Sequence, residues 1–171
     1  MVIWLIGLAG AGKTSIGNEL HRLLKARRPN VVFFDGDQVR MIMGNDLGHT
    51  LEDRRTNAWR ICRLCQYLET QGIDVVCAIL SLFHETQAWN REHLKQYFEV
   101  YINVPMGVLI QRDQKGLYTA ALNGTAENVA GVTLAFQPPP HPDLVIENSR
   151  PRDSFVPIAQ QILGSIDEKF R

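Results

Sequence analysis

The sequence has no apolar stretch long enough to cross a membrane. A membrane-spanning helix needs about 18 or more consecutive apolar residues, and the apolar run near the start, residues 2–6, already breaks at Gly7. That run is also shorter than the apolar part of a secretion signal. A net charge is lacking too, because 18 basic residues balance 18 acidic ones. We therefore expect a cytoplasmic protein that binds neither membranes nor nucleic acid and that recognises its ligand at a local site.

Cysteine is scarce, and its pattern excludes a disulfide framework. The three residues Cys62, Cys65 and Cys77 are an odd number in a chain without a secretion signal, which favours reduced thiols. The pair Cys62-x-x-Cys65 has no second pair of ligands at the spacing of a metal site. We interpret the pair as part of a packed helix, and the sequence leaves any redox role open.

Two motifs of GTP-hydrolysing switch proteins are also missing. The third predicted strand, residues 73–80, ends at Ser81 without the aspartate that often holds Mg²⁺ at this place in phosphate-loop proteins. The base-reading sequence Asn-Lys-x-Asp does not occur either. Both absences disfavour a GTPase switch.

What the sequence does contain is a phosphate-binding loop. Residues 7–14 fit G-x-x-x-x-G-K-[ST] between an apolar run and an amphipathic helix. Backbone N–H groups of such a loop surround a polyphosphate, Lys13 can reach the β and γ phosphates, and the Thr14 hydroxyl is placed to bind Mg²⁺. The residues predicted to bind the nucleotide are Gly7, Ala9, Gly10, Ala11, Gly12, Lys13, Thr14, Ser15 and Arg112.

Strands and helices alternate along the chain. The predicted strands are residues 2–6, 31–34, 73–80, 99–103 and 144–146, and the predicted helices are 13–27, 38–43, 51–71, 85–97, 105–112 and 153–170. This alternation predicts one α/β domain over residues 1–171, with a five-stranded parallel sheet between helical layers. Residues 113–133 break the pattern and contain three glycines, so we predict a mobile lid there. The prolines at 138–142 predict a stiff connector.

Carboxylates and cations are predicted at one edge of this sheet. Asp35 and Asp37 follow the second strand, and parallel strands end at the same edge as the phosphate loop. A carboxylate there can bind Mg²⁺ or orient an acceptor hydroxyl, although a turn with a helix-capping aspartate would give the same pattern.

The cations of this region suggest an anionic acceptor. Arg40, Arg54 and Asn57 lie on helices that leave the same end of the sheet, with Arg60 one turn further along. We interpret Arg55 and Arg63, in contrast, as solvated surface charges.

Nearly the whole chain resembles the adenylylsulfate (APS) kinase family. The matching segments are the loop 7–14, Asp35-Gly36-Asp37-Gln38-Val39-Arg40, Asp46-Leu47-Gly48, Asp53-Arg54 with Asn57 and Arg60, Ser81, Arg112-Asp113, Lys115-Gly116-Leu117-Tyr118, Asn128-x-x-Gly131 and Pro142-Asp143-Leu144-Val145. The resemblance implies a P-loop kinase that uses ATP and Mg²⁺ to phosphorylate the ribose 3′-hydroxyl of a small nucleotide acceptor, and that is often a homodimer. It implies Lys13 and Asp37 as catalytic residues, with Thr14 and Asp37 binding the metal. The residues implied in acceptor binding are Asp35, Arg40, His49, Arg54, Asn57, Ser81, Leu82, Lys115 and Val129.

The sequence departs from the family pattern where the acceptor base would bind. In the family two phenylalanines sandwich the adenine, and His49 and Val129 stand in their places here. The family's Ser-Pro-Tyr/His-Arg run becomes Ser81-Leu82-Phe83-His84. The loss of aromatic stacking removes ~1 to 3 kcal/mol per face.

These departures leave the acceptor open. One explanation is sequence drift within an APS kinase. The other is a changed acceptor, such as the cytidine diphosphoramidate of related capsule-pathway kinases, whose smaller base tolerates a clamp without aromatics and can hydrogen bond to His49. A non-catalytic ATP-binding regulator is disfavoured by the retention of Lys13, Asp37 and Arg54, and a nucleic-acid end kinase by the neutral charge balance.

Overall fold

The computed structural model describes residues 1–113 and 115–171. Its elements in chain order are β1 (Val2–Ile6), α1 (Lys13–Arg27), β2 (Val31–Asp35), α2 (Gly36–Ile42), α3 (Leu51–Thr70), β3 (Asp74–Ile79), α4 (His84–His93), β4 (Tyr97–Asn103), α5 (Met106–Arg112), α6 (Leu117–Leu122), β5 (Leu144–Glu147) and α7 (Val156–Lys169). None of the helices in these residues combines the length and apolar character that a membrane span requires.

The five strands form one parallel sheet in the order β2-β3-β1-β4-β5. The strand order reverses at β1, because β3 and then β2 lie on one side of it and β4 and then β5 on the other. A ligand on a sheet of this kind binds beyond the carboxyl ends of the strands at such a switch point. The predicted phosphate loop follows β1 directly and therefore lies at that point.

Helices cover both faces of the sheet and bury it. Ile3 and Leu5 of β1 pack into a cluster with residues of α1, α5 and α7, whereas Val2, Trp4 and Ile6 pack into a second cluster with residues of α2 and α3. All five residues of β1 are fully buried or nearly so, which is why this strand reads as an uninterrupted apolar run. The predicted three-layer α/β/α fold is confirmed.

One boundary differs from its prediction because of a tertiary contact. The helix predicted over residues 85–97 ends at His93, and β4 begins at Tyr97 instead of residue 99. The carboxylate of Glu69, at the end of α3, accepts hydrogen bonds from the backbone N–H groups of Lys95 (2.8 Å) and Gln96 (3.1 Å). Those donors are therefore satisfied without a further helical turn, and no glycine or proline marks the site.

The predicted lid contains a short helix that the sequence pattern did not indicate. The Asp113 carboxylate accepts from the backbone N–H groups of Tyr118 (3.0 Å) and Thr119 (2.8 Å), which satisfies donors at the start of α6. Residue 114 of the lid segment lies outside the described residues. The mobility of residues 113–133 stays a prediction.

The three cysteines are free and buried, as expected for reduced thiols. Cys62 and Cys65 lie on α3, facing the same core cluster as Cys77 of β3. Burial raises the pKa of the Cys62 thiol to about 12, so this group stays protonated and unreactive at neutral pH. The interpretation of Cys62-x-x-Cys65 as helix packing is confirmed.

Candidate active site

The loop between β1 and α1 has the backbone that glycine permits. Gly10 and Gly12 have φ angles of 75° and 96°, in the left-handed region. A Cβ atom at Gly7 would lie 2.8 Å from the carbonyl oxygen of Ile102 on the neighbouring strand β4. These three positions therefore require glycine, and the loop wraps tightly at the start of α1.

Lys13 lies at the centre of the charges around this loop. Its Nζ donates a hydrogen bond to the carbonyl oxygen of Leu8 at 2.8 Å. Burial lowers the pKa of Lys13 to about 8, and the negative charges of Asp35 and Asp37 partly oppose that shift. The structure thus brings the aspartates at the end of β2 into electrostatic reach of the loop lysine.

The contacts of Asp35 are those of a helix cap. Its Oδ1 accepts from the backbone N–H groups of Asp37 (3.1 Å) and Gln38 (2.9 Å), and Gln38 Oε1 accepts from the Asp35 N–H (3.0 Å). This reciprocal capping box starts α2. The capping alternative that the sequence left open for Asp-Gly-Asp is therefore observed at Asp35, and the predicted role of Asp35 in acceptor binding stays a prediction.

The side chain of Asp37 does not cap a helix. It is 73% exposed and forms a long ion pair with Arg40, whose Nη1 lies 3.7 Å from Asp37 Oδ1. The carboxylate is therefore accessible at the sheet edge beside the loop, where it can approach a metal ion or a substrate hydroxyl.

A pocket of about 60 Å³ opens next to Asp37. Five of the nine predicted acceptor-binding residues line it, and the lining is Gly36, Arg40, Arg54, Asn57, Ala58, Ile61, Ile79, Leu80, Ser81, Leu82 and Phe83. Cationic and apolar walls in one pocket suit a ligand that has both an anionic part and a ring.

Asn57 brings an unpaired polar atom to this pocket. The residue is 3% exposed, and its Nδ2 donates to the carbonyl oxygen of Gly36 at 3.4 Å. Its Oδ1 is buried and has no hydrogen-bond partner in the described part of the chain. A buried acceptor without a partner is costly, so this atom points to a donor supplied by a ligand or by water.

Arg54 connects the two segments that carry the altered base clamp. Its Nε donates to the carbonyl oxygen of His49 (3.0 Å) and its Nη2 to that of Asn128 (3.1 Å). The pKa of His49 is lowered by the partial burial of its ring and then by the nearby charges of Arg40 and Arg54. His49 is exposed, whereas Val129 is 3% exposed and packs into the core cluster of α1 and α7.

The structure also places at the pocket a residue that the sequence did not indicate. Phe83 lines the pocket, and the guanidinium of Arg55 lies over its ring at 4.6 Å from the centroid. Arg55 also forms an ion pair with Glu85. The Arg55 side chain is 42% exposed, so the interpretation of Arg55 as a surface charge agrees with the structure. Its contact with Phe83 was not predicted, because the sequence gave no partner for that ring.

Other predicted residues lie apart from this pocket. Arg60 forms a two-point ion pair with Asp46, with both contacts at 2.7 Å.

Arg112 lies beside the phosphate loop, where its Nη2 donates to the carbonyl oxygen of Asn148 at 2.8 Å and its Nη1 donates to that of Gly10 at 3.4 Å. Lys115, exposed at the start of the lid segment, is near enough for its charge to help lower the pKa of Lys13.

The oxygen groups at the loop fit a magnesium ion bound with a nucleotide. Thr14, on the first turn of α1, and Asp37 are both exposed. No cluster of three or more His, Cys, Asp or Glu side chains that could hold a metal by itself occurs in residues 1–113 and 115–171. Mg²⁺ is commonly held by one or two protein oxygens together with substrate phosphates and water, so this sparse donor set suits it.

A phosphate loop at the switch point of a parallel sheet, with an accessible carboxylate and an arginine-lined pocket beside it, defines a P-loop phosphotransferase. The family model of adenylylsulphate kinase matches residues 1–147, and the chain belongs to this family.

Individual relatives agree with this assignment. A cytidine diphosphoramidate kinase of Campylobacter jejuni is 45% identical over 148 residues, which cover 86% of each chain. An adenylyl-sulfate kinase of Halothermothrix orenii is 34% identical over 169 residues, which cover 99% of this chain and 90% of that one. Among solved structures, the APS kinase CysC of Mycobacterium tuberculosis in complex with AMPPNP and APS superposes with a TM-score of 0.87, at 29% identity, over 97% of this chain and 96% of that one.

Proposed function

We propose that this protein is an ATP-dependent kinase of the adenylylsulfate kinase type, which phosphorylates the ribose 3′-hydroxyl of a small nucleotide acceptor. The observation that carries the proposal is the juxtaposition of Lys13 and Asp37, at the same edge of the sheet, with the arginine-lined pocket. The donor phosphates bind at the loop and the acceptor in the pocket, so that Asp37 lies between them.

The residues of the chain have distinct tasks in this reaction. The acceptor oxygen attacks the γ-phosphorus, the bond from that phosphorus to the β-phosphate oxygen breaks, and ADP leaves with that bond's electron pair. Asp37 orients the acceptor hydroxyl and takes its proton late in the step. Lys13 stabilises charge on the transferred group. Thr14 and Asp37 would hold Mg²⁺, which would supply positive charge that neutralises the phosphates.

Arg40 and Arg54 bind the anionic part of the acceptor. Arg54 is half-buried. Its pKa is lowered mainly by this burial and to a lesser extent by the positive charge of Arg40. Two like charges at one pocket repel each other, and an acceptor anion relieves that repulsion. Asn57 accepts a hydrogen bond from the acceptor through its unpaired Oδ1.

Cytidine diphosphoramidate is a second candidate acceptor, beside adenylylsulfate. Two observations favour it, namely the 45% identity to a kinase named for that substrate and the missing aromatic clamp at His49 and Val129. The lowered pKa of His49 favours the neutral form of its ring, and a neutral imidazole carries one hydrogen-bond donor and one acceptor. Such a ring can pair with the polar edge of a cytosine.

The acceptor is tested by the ratio of kcat/KM for the two candidates, before and after His49→Phe. An enzyme shaped for cytosine should prefer the cytidine substrate, and the added ring should shift the ratio about tenfold towards adenylylsulfate, because stacking contributes ~1 to 3 kcal/mol. The variant His93→Phe on α4 is the matched control. A single change suffices because Val129 is buried, and a phenylalanine there would strain the core.

An unmoved ratio would show that His49 does not touch the base. A wild-type enzyme that phosphorylates neither acceptor while binding ATP would contradict the proposed kinase activity itself.

Donor binding should depend on pH through Lys13. The phosphates bind the charged lysine, and the free enzyme loses that charge as the pH rises through about 8. The affinity for MgADP should therefore fall by up to about tenfold per pH unit above this value, with a proton taken up on binding. Calorimetry from pH 7 to pH 9.5 measures both quantities. The variant Lys13→Arg, whose charge persists, should show no such decline, and a flat profile in the wild type would contradict the role of Lys13.

A further inference from the structure

Four consecutive carbonyl oxygens of the phosphate loop each accept a hydrogen bond from a different side chain. The pairs, donor first, are Lys13 Nζ to Leu8 at 2.8 Å, Tyr118 Oη to Ala9 at 2.8 Å, Arg112 Nη1 to Gly10 at 3.4 Å and Asn148 Nδ2 to Ala11 at 2.9 Å. Three of these donors come from elements beyond the loop and α1.

These contacts fix the direction of the loop amides. In a planar trans peptide the C=O group and the following N–H group point in opposite directions. A donor that holds the carbonyl of Ala9 or Ala11 on the outer side therefore turns the next N–H group towards the inner side. Inward-facing N–H groups are what a polyphosphate requires of such a loop.

We propose that Asn148 and Tyr118 are positioning residues of the donor site, which hold the phosphate-loop amides in the orientation that binds ATP. The inference rests on the proposed function, because it takes ATP as the donor. Both residues are 2% exposed, and neither belongs to the loop motif.

Asn148 is itself held in one orientation. Its backbone N–H donates to the carbonyl oxygen of Asn103 at 3.0 Å at the end of the sheet, and its Oδ1 accepts from Arg152 Nε at 3.0 Å. The amide group therefore presents Nδ2 to the loop. A Cβ atom at Gly12 would lie 2.7 Å from this nitrogen, so the side chain packs directly on the loop backbone.

Tyr118 connects the loop to the predicted lid. It lies on α6, whose first donors are held by Asp113. Burial raises the pKa of Tyr118 to about 12, so its hydroxyl remains a donor at neutral pH. Motion of the lid segment would therefore act on the Ala9 peptide, and through it on the phosphate site.

The test compares nucleotide binding and kinetics of Tyr118→Phe and Asn148→Leu. Tyr118→Phe removes one donor, and Asn148→Leu removes the amide that donates to Ala11 and accepts from Arg152. Each change keeps a side chain of similar shape. Each should weaken MgADP binding and raise the KM for ATP about tenfold, which corresponds to about 1.4 kcal/mol. The KM for adenylylsulfate or cytidine diphosphoramidate, whichever the wild type phosphorylates, should change less than about twofold.

Tyr97→Phe is the matched control. It removes another buried hydroxyl, which donates to Glu99 Oε2 at 2.6 Å and lies near the start of β4, away from the loop. It should alter the melting temperature without altering the KM for ATP. If Asn148→Leu does not fold, Tyr118→Phe decides the matter, because only one hydroxyl is lost.

Unchanged MgADP affinity in both variants would overturn the inference, as would a parallel rise of both KM values. A wild type that binds no MgADP would instead overturn the proposed function, so the two failures are distinguishable.

Discussion

Replacing Lys13 by alanine should reduce the rate of phosphoryl transfer by about a thousandfold. A preorganised group that stabilises developing charge in the transition state contributes about 10²- to 10³-fold to kcat, and we expect the upper end of that range here. Negative charge on the transferred group must be stabilised as the bond to ADP breaks, and no other lysine of α1 lies in the loop motif. The measurement is kcat with saturating ATP and acceptor. Lys25→Ala, an exposed lysine in the last turn of α1, is the control and should retain wild-type turnover.

The Lys13→Ala variant should fold at least as stably as the wild type at pH 7. Burial lowers the pKa of Lys13 from 10.5 to about 8, so between these values the unfolded chain binds more protons than the folded one. The free energy of unfolding therefore rises with pH across this window, and below it the charged lysine costs stability. The carbonyl of Leu8 keeps a donor in the variant, the Ala11 N–H at 3.2 Å. A thousandfold loss of kcat without a lower melting temperature is the expected pair of results, and near-normal kcat would remove the phosphate-loop assignment.

Asp37→Asn should lower kcat by at least about a hundredfold, because general-base catalysis contributes about 10²- to 10⁴-fold. Asparagine keeps the shape and can still orient a hydroxyl, but it cannot take the proton. MgADP affinity should change much less. The helix should be undisturbed, because Asp35 and not Asp37 caps α2.

The matched control for Asp37→Asn is Glu52→Gln. Glu52 is also an exposed acid in the first turn of a helix, in this case α3, so both changes remove a charge that favours a helix start. Steady-state kinetics with varied ATP separates the outcomes. A loss confined to the KM for ATP would make Asp37 a donor-binding residue and not a base.

Local sequence predicted most of the fold because its signals were strong and short in range. Helix α1 begins at Lys13 and ends at Arg27 as predicted, since a glycine turn precedes it and basic residues with a proline follow it. One weaker boundary, the end of α4, failed because a distant side chain decided it. The carboxylate of Glu69 accepts hydrogen bonds from the N–H groups of Lys95 and Gln96 just after α4. The residues in and around α4 do not indicate that contact.

The amino-acid sequence by itself determined the phosphate loop, the alternation of strands and helices, and the carboxylates at the end of β2. Each depends on residues close together in the chain, whose backbone preferences and periodicity are local. Only the tertiary structure decided that Val129 is buried, that Arg55 covers Phe83, and that Asn148 holds Ala11 from 137 positions away. These contacts join segments that are far apart in the chain, and packing in three dimensions, which no local pattern encodes, selects the partners.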